Sequence, residues 1–177
     1  VKIEDKVFWG VDPGASKTAP GAVAVMSQDG RHLAVEDWPG DEVALAALVR
    51  GLLWEYGRPA LVAVEKQQSM PKQGVASVFA LGLNFGQWLG VLAGQSLAVV
   101  LVRPCEWKKG YVPAGADKSE SVAVVRRRWP SVPIPFKKNH GRAEAVLLAE
   151  ALRGHAGVAH LHLGGGTPTA LGPAGLR

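Results

Sequence analysis

Cysteine is almost absent. Cys105 is the single one in 177 residues, so no disulfide can form within the chain and no cysteine-based zinc site can be built from it. Acids are also short, 15 against 20 lysines and arginines, leaving a formal charge of +5 that favours a polyanionic partner. No uninterrupted apolar run approaches the roughly 20 residues needed to cross a bilayer. The first residues, Val1 to Lys6, alternate charge without an apolar signal core. The expectation is a cytoplasmic address and no membrane partner. What is present is the balance of a globular domain, 47% hydrophobic and 20% charged. The length suits one core rather than two. We therefore expect a single domain over residues 1–153, followed by a flexible tail, 154–177, rich in Gly, Pro, Ala and Thr. His155, His160 and His162 fall in that tail and read as solvated.

The stretch VFWGVDPG, Val7 to Gly14, is the organising one. A hydrophobic strand ends in an acid, a proline and a glycine, and period-two alternation puts Val7, Trp9 and Val11 on one face and Phe8, Gly10 and Asp12 on the other. A carboxylate delivered at the rim of a buried strand costs stability unless a metal, a base or solvent matches it. Asp-Pro-Gly is also an ordinary turn, so Asp12 gains meaning only if other acids converge on it.

Gly21 to Met26 reads as a second strand, and Asp29-Gly30 is a hairpin signal leading to a third near Leu33 to Trp38. The intervening loop, Pro13 to Gly21, carries Ser16, Lys17 and Thr18, groups that can touch phosphate. Asp41 to Tyr56 has helical period, with Leu45, Leu48, Val49 and Leu52 on one face and Gly57 after it. Ala60 to Glu65 is an apolar run typical of a central parallel strand, and it too ends in a carboxylate. Parallel neighbours would place Asp12 and Glu65 at one sheet edge. A polar loop, Gln67 to Gly74, leads to a long helix over Val75 to Gly94, whose glycines at 82, 86, 90 and 94 form one row. Such a row implies close approach of another backbone, either the protein's own sheet or the same helix of a second subunit.

Leu97 to Val102 reads as a further buried strand, followed by a loop in which Trp107, Lys108, Lys109 and Tyr111 suit contacts to bases and phosphates, unless Trp107 closes the core. In the helix Asp117 to Trp129, Asp117 and Glu120 have capping-box spacing, and Lys118 with Arg126 to Arg128 makes the region basic. The final helix is expected over Arg142 to Arg153, after Lys137, Lys138, Asn139 and His140, with Asn139 a candidate cap. Glu144 lies in its first turn. If helical geometry reaches back to His140, four residues earlier, the two share a face; otherwise Glu144 complements the helix dipole and His140 is a loop residue.

Together, Asp12, Glu65 and Glu144 make an oxygen-rich set suited to Mg²⁺ or Mn²⁺. Two such ions would serve phosphodiester hydrolysis. The order VDPG, VEKQQSMPKQGVAS and HGRAEAVLLAEAL resembles the RuvC family of Holliday junction resolvases, in particular its phage and organellar branch, over roughly residues 7–153. The resemblance implies an RNase H-like α/β fold, with a mixed five-stranded sheet of three antiparallel and then parallel strands flanked by helices. It implies a homodimer that resolves four-way DNA junctions by paired Mg²⁺-dependent nicks, and no nucleotide cofactor. By the same resemblance Asp12, Glu65 and Glu144 match acidic ligands. His140 stands where many members carry an aspartate, and is assigned as ligand or water-orienting base; alternatively Asn139 replaces that aspartate. Gln67, Gln68, Met70, Lys72, Gln73 and Phe79 would lie near the crossover, Lys118 near the scissile phosphate. Lys17, Lys108, Lys137, Lys138 and Arg142 complete the expected DNA surface.

Two rivals make different demands. A junction-binding protein that no longer cuts, suggested by Asn139 and His140, would bind without metal and never nick. An actin-like phosphotransferase needs a second glycine-rich phosphate loop, and the later segments are basic and proline-marked instead.

Overall fold

Alternation along the first strand decides how the molecule is layered. In the computed structural model, which describes residues 6–16, 19–69, 72–117, 119–135 and 140–156, the chain opens with β1 (Val7–Ser16), β2 (Ala19–Ser27) and β3 (His32–Asp37). There follow α1 (Glu42–Tyr56), β4 (Leu61–Glu65), α2 (Val75–Gly94), β5 (Val99–Val102), α3 (Pro104–Trp107), a 3-10 turn over Lys108–Gly110, α4 (Ser119–Arg128) and α5 (His140–Ala156). The sheet order is β3-β2-β1-β4-β5. The first three strands are mutually antiparallel, and β1, β4 and β5 run parallel. This is the expected mixed sheet.

Val7, Trp9 and Val11 pack on one side of the sheet with Leu45 and Val49 of α1 and Trp88 and Leu92 of α2. Phe8 packs on the other with Val122 and Val125 of α4 and the apolar face of α5. Asp12 and Glu65 share this second side by the same alternation. The contact between α5 and β1 depends on Gly10: a Cβ there would lie 2.1 Å from the Ala145 carbonyl oxygen and 2.4 Å from the Ala149 nitrogen. Any side chain at position 10 would lift the helix off the sheet. Caps follow the sequence at α1, where the Asp41 carboxylate accepts from the Ala44 N–H at 2.8 Å.

Several boundaries differ from expectation. The first strand does not stop at Asp12 but continues to Ser16 in a hairpin with β2, so much of the expected Pro13–Gly21 loop is strand. What ends there is the pairing with β4, whose last partners are Val11 and Val64. The fifth strand is an edge strand rather than a buried one, with Leu101 exposed, because among the described residues no strand pairs with it beyond β4. The last helix starts two residues earlier, at His140, and runs past Gly154 through His155, whose Nδ1 lies 2.6 Å from the Ala151 carbonyl oxygen. The rest of the expected tail, with His160 and His162, lies outside the described residues.

The glycine row of α2 has one of its two possible partners removed. Cβ atoms built at Gly82, Gly86, Gly90 and Gly94 would meet nothing within 4 Å, so the row faces away from the sheet. Val75, Phe79 and Leu83 are exposed along the same side. Contrary to the expectation from uninterrupted runs, α2 is long and apolar enough to cross a bilayer by length and composition, 20 residues with a mean hydropathy of 1.5 over its window. Glycines punctuate it without making it polar. Its other face, Leu81, Trp88 and Leu92, is buried in the core.

Candidate metal centre

Two strands and a helix deliver one carboxylate each to the same edge. Asp12 comes from β1 at the point where the strand leaves β4, Glu65 from the carboxyl end of β4, and Glu144 from the second turn of α5. One residue past the Val11–Val64 pair, parallel register sets Asp12 beside Glu65. Glycine at position 10 lets α5 settle low enough for Glu144 to reach them. All three acids are buried, and an oxygen from each lies within 4.8 Å of the others.

Each carboxylate is held by a separate donor. Asp12 Oδ1 accepts the Gly14 N–H at 3.0 Å, a contact that depends on Gly14 turning the backbone at φ +71°. Glu65 Oε2 accepts from the Trp107 indole N–H at 3.0 Å, and Oε1 from the Gln67 amide at 3.4 Å. Glu144 Oε1 pairs with Lys108 Nζ at 2.7 Å, and that ammonium lies 5.1 Å from the centroid of the Trp107 ring. The start of α5 presses on the same point, since a Cβ at Gly141 would lie 3.2 Å from Asp12 Oδ2.

Among the described residues the three acids face one lysine, and Asp12 and Glu65 hold their protons more tightly than ordinary carboxyls. Burial, then the Glu144 and Glu65 carboxylates, push Asp12 up to about 8, against the weaker pull of the Gly14 N–H and Lys108. Glu65 is raised by burial and by Glu144, with Lys108, Trp107 and Gln67 opposing. Burial works against the Lys108 charge, but Glu144, Glu65 and Asp12 together raise it and keep the ammonium protonated. The donors fit a hard divalent cation: oxygen only, convergent, buried and short of cationic partners.

The structure brings Asp12, Glu65 and Glu144 together and leaves His140 outside that group. His140 is the first residue of α5, so it does share a helical face with Glu144, one turn along. Lys108 and Gln67, expected at DNA, reach into the acidic cluster. Arg142 is bidentate on Asp37, at 2.7 and 2.9 Å, and also donates to the Pro133 carbonyl. Gln68, Lys72 and Phe79 are exposed and Gln73 is half-buried, on the segment that leaves the Glu65 edge. Lys17, Met70, Lys118, Lys137, Lys138 and Asn139 lie outside the described residues. Trp107 does close the core, at 2% exposure, and its edge meets a carboxylate. No sequence signal links it to Glu65, 42 positions away. A cleft of about 460 Å³ opens beside Glu144, walled in part by Cys105, Lys108, Lys109 and Pro113.

No family model matches the chain. It is 34% identical over 89 residues to the chloroplastic Holliday junction resolvase MOC1 of Chlamydomonas reinhardtii, a match covering 49% of this chain and 10% of that protein. The match thus spans about a tenth of that relative's length. Among solved structures, Thermus thermophilus RuvC in complex with a Holliday junction substrate superposes with a TM-score of 0.61 at 17% identity, over 87% of this chain and 96% of that one. The fowlpox virus resolvase in complex with its Holliday junction DNA gives 0.52 at 17% identity, over 85% and 98%. At such identities the shared property is the fold. The strand order, the flanking helices and the superposition together give this chain the RNase H-like fold of the RuvC-type Holliday junction resolvases.

Proposed function

We propose that this protein is a divalent-metal-dependent, structure-selective endodeoxyribonuclease that resolves four-way DNA junctions by paired nicks. The observation that carries the reading is the convergence of three buried carboxylates, met among the described residues by one ammonium, at the strand edge of this fold. Asp12, Glu65 and Glu144 would hold Mg²⁺ or Mn²⁺, two ions per site, with His140 completing the set or orienting the water. When bound, such cations supply charge neutralisation at a phosphodiester and lower the pKa of the attacking water.

The chain's own residues do the remaining work. Trp107, Gln67 and Gly14 hold carboxylate oxygens in place, so the acids need not reorganise during reaction. Lys108, charged at the site's edge, balances anionic charge there and lies at the wall of the cleft beside Glu144, where a DNA strand can pass. Gln68, Lys72, Gln73, Lys17, Lys118, Lys137 and Lys138 would meet backbone and bases around the crossover.

A second copy of the chain supplies the second nick. Its seat would be the exposed side of α2, where the glycine row permits backbone approach and Val75, Phe79 and Leu83 offer apolar contact. Two-fold pairing suits a near-symmetric four-armed substrate. Light scattering should show a dimer that Leu83→Glu with Gly86→Arg converts to monomer.

The test of the reading is a labelled four-way junction beside a matched linear duplex, each incubated with protein in Mg²⁺, Mn²⁺ or chelator. Paired nicks confined to the junction and to the metal lanes are expected. Tight junction binding with no nick in any lane would replace the nuclease with a binding protein of the same fold. Equal handling of junction and duplex would remove the substrate assignment.

A further inference from the structure

Trp107 ends α3 with its ring packed in the core beneath the acidic cluster, in contact with the same cluster of side chains as Phe8 and Val122. A core position explains the ring but not its polar edge. An indole N–H can only donate, and this one meets Glu65 Oε2 at 3.0 Å in a buried setting. Because packing fixes the ring, the donor cannot follow the carboxylate, and the carboxylate must come to it. One oxygen of Glu65 is thereby committed; the other, Oε1, has only the longer 3.4 Å contact with Gln67. The flat face of the same ring lies 5.1 Å from Lys108 Nζ, and that nitrogen is the one paired with Glu144 at 2.7 Å.

From this geometry we infer that Trp107 is the positioning residue of the metal centre: its edge locks the Glu65 carboxylate in one orientation, and its face seats the Lys108 ammonium against Glu144. Two of the three converging acids are thus set by one rigid side chain. The inference rests on the reading that the triad holds a divalent ion. Donors that orient a ligand without touching the metal typically change affinity by about 10- to 100-fold when removed. A tryptophan that merely fills space would have no such effect once its volume is preserved.

The experiment compares wild type with Trp107→Phe and with replacement of Trp107 by benzothienylalanine, which keeps the bicyclic shape and puts sulfur where the N–H was. Mg²⁺ and Mn²⁺ binding is measured without DNA, by calorimetry and by the rise in Tm on adding metal. Both replacements should weaken Mg²⁺ binding by about tenfold or more, while circular dichroism and junction binding in chelator stay at wild-type levels. In a Glu65→Gln background, the benzothienylalanine replacement, which keeps the ring face beneath Lys108, should cause no further loss of Mn²⁺ affinity, because the carboxylate that the N–H positions is gone. Wild-type Mg²⁺ affinity in the benzothienylalanine protein would overturn the inference, even if Trp107→Phe misfolds. So would an undiminished loss in the Glu65→Gln background, which would mark a purely structural effect. If wild type binds neither ion, the metal reading itself falls and this inference with it; if it binds both and the replacements bind equally, only the role of Trp107 falls.

Discussion

The two ends of α5 bury acids of the same kind and treat them in opposite ways. Near its carboxyl end Glu150 is 5% exposed, and Arg153 grips both its oxygens at 2.7 and 2.8 Å while Arg128 approaches at 3.4 Å. Arg128 also covers the rings of Tyr111 and Trp129, and the Trp129 indole donates to the Gly30 carbonyl, so this cluster ties α4, α5 and the β2–β3 turn together. One acid there has two guanidiniums. At the amino end, among the described residues, three acids share one ammonium, and burial, then the Glu144 and Glu65 carboxylates, push Asp12 up to about 8. A buried acid that the fold uses as a fastener is neutralised by the chain itself. An acid cluster left short of cations is built for a cation that comes from outside.

Substitutions at the two ends should therefore move stability and activity in opposite directions. Asp12→Asn is expected to reduce junction cleavage by about a thousandfold or more, the several kcal/mol a hydrolytic metal supplies, while raising the Tm measured in chelator at neutral pH, because the folded chain no longer has to take up a proton at that buried carboxyl. Cleavage assays paired with melts in EDTA check both signs; a fall in metal-free Tm would contradict the deficit. Glu150→Ala should do the reverse, costing about 3 kcal/mol of stability by leaving two arginines without their partner, with cleavage near wild type at 25 °C. Urea unfolding and the same assay would show whether the two ends are as separate as their charge balance implies.

A smaller effect concerns pH. The value of about 8 for folded Asp12 lies above its ordinary 3.8, so between these the folded chain keeps a proton the unfolded chain releases. Its contribution to stability is whole below about pH 4 and is lost as pH rises through about 8. Metal-free protein should thus show that component of its Tm decline across this window, and Asp12→Asn should remove it. Since metal must displace the same proton, Mg²⁺ affinity should weaken as pH falls below about 8. Calorimetry at pH 6, 7 and 8.5 would detect the trend, and a flat profile would show that Asp12 is not protonated in the metal-free site.

Much of the fold was legible because its evidence is local. Period-two alternation placed Asp12 with Phe8 and Gly10, an apolar run ending in Glu65 marked a central parallel strand, helical apolar spacing marked α1, and glycines four apart marked α2. Strand ends were less legible: β1 continues past Asp12 because pairing with β2 outlasts pairing with β4, a property of partners rather than of the segment. The edge position of β5 was equally invisible, since Val99 to Val102 is apolar whether or not a further strand covers it.

What the sequence determined by itself is which carboxylates share a face and an edge, because neighbour spacing within a strand or helix dictates side-chain direction. Tertiary structure alone decided that Gly10 lets α5 down onto β1, that the glycines of α2 face outward, that Lys108 and Gln67 turn into the acids, and that Trp107 reaches Glu65. Apart from Gln67 and Glu65, two positions apart, those contacts join residues far apart in the chain, and the packing that closes such distances leaves no periodic trace along it.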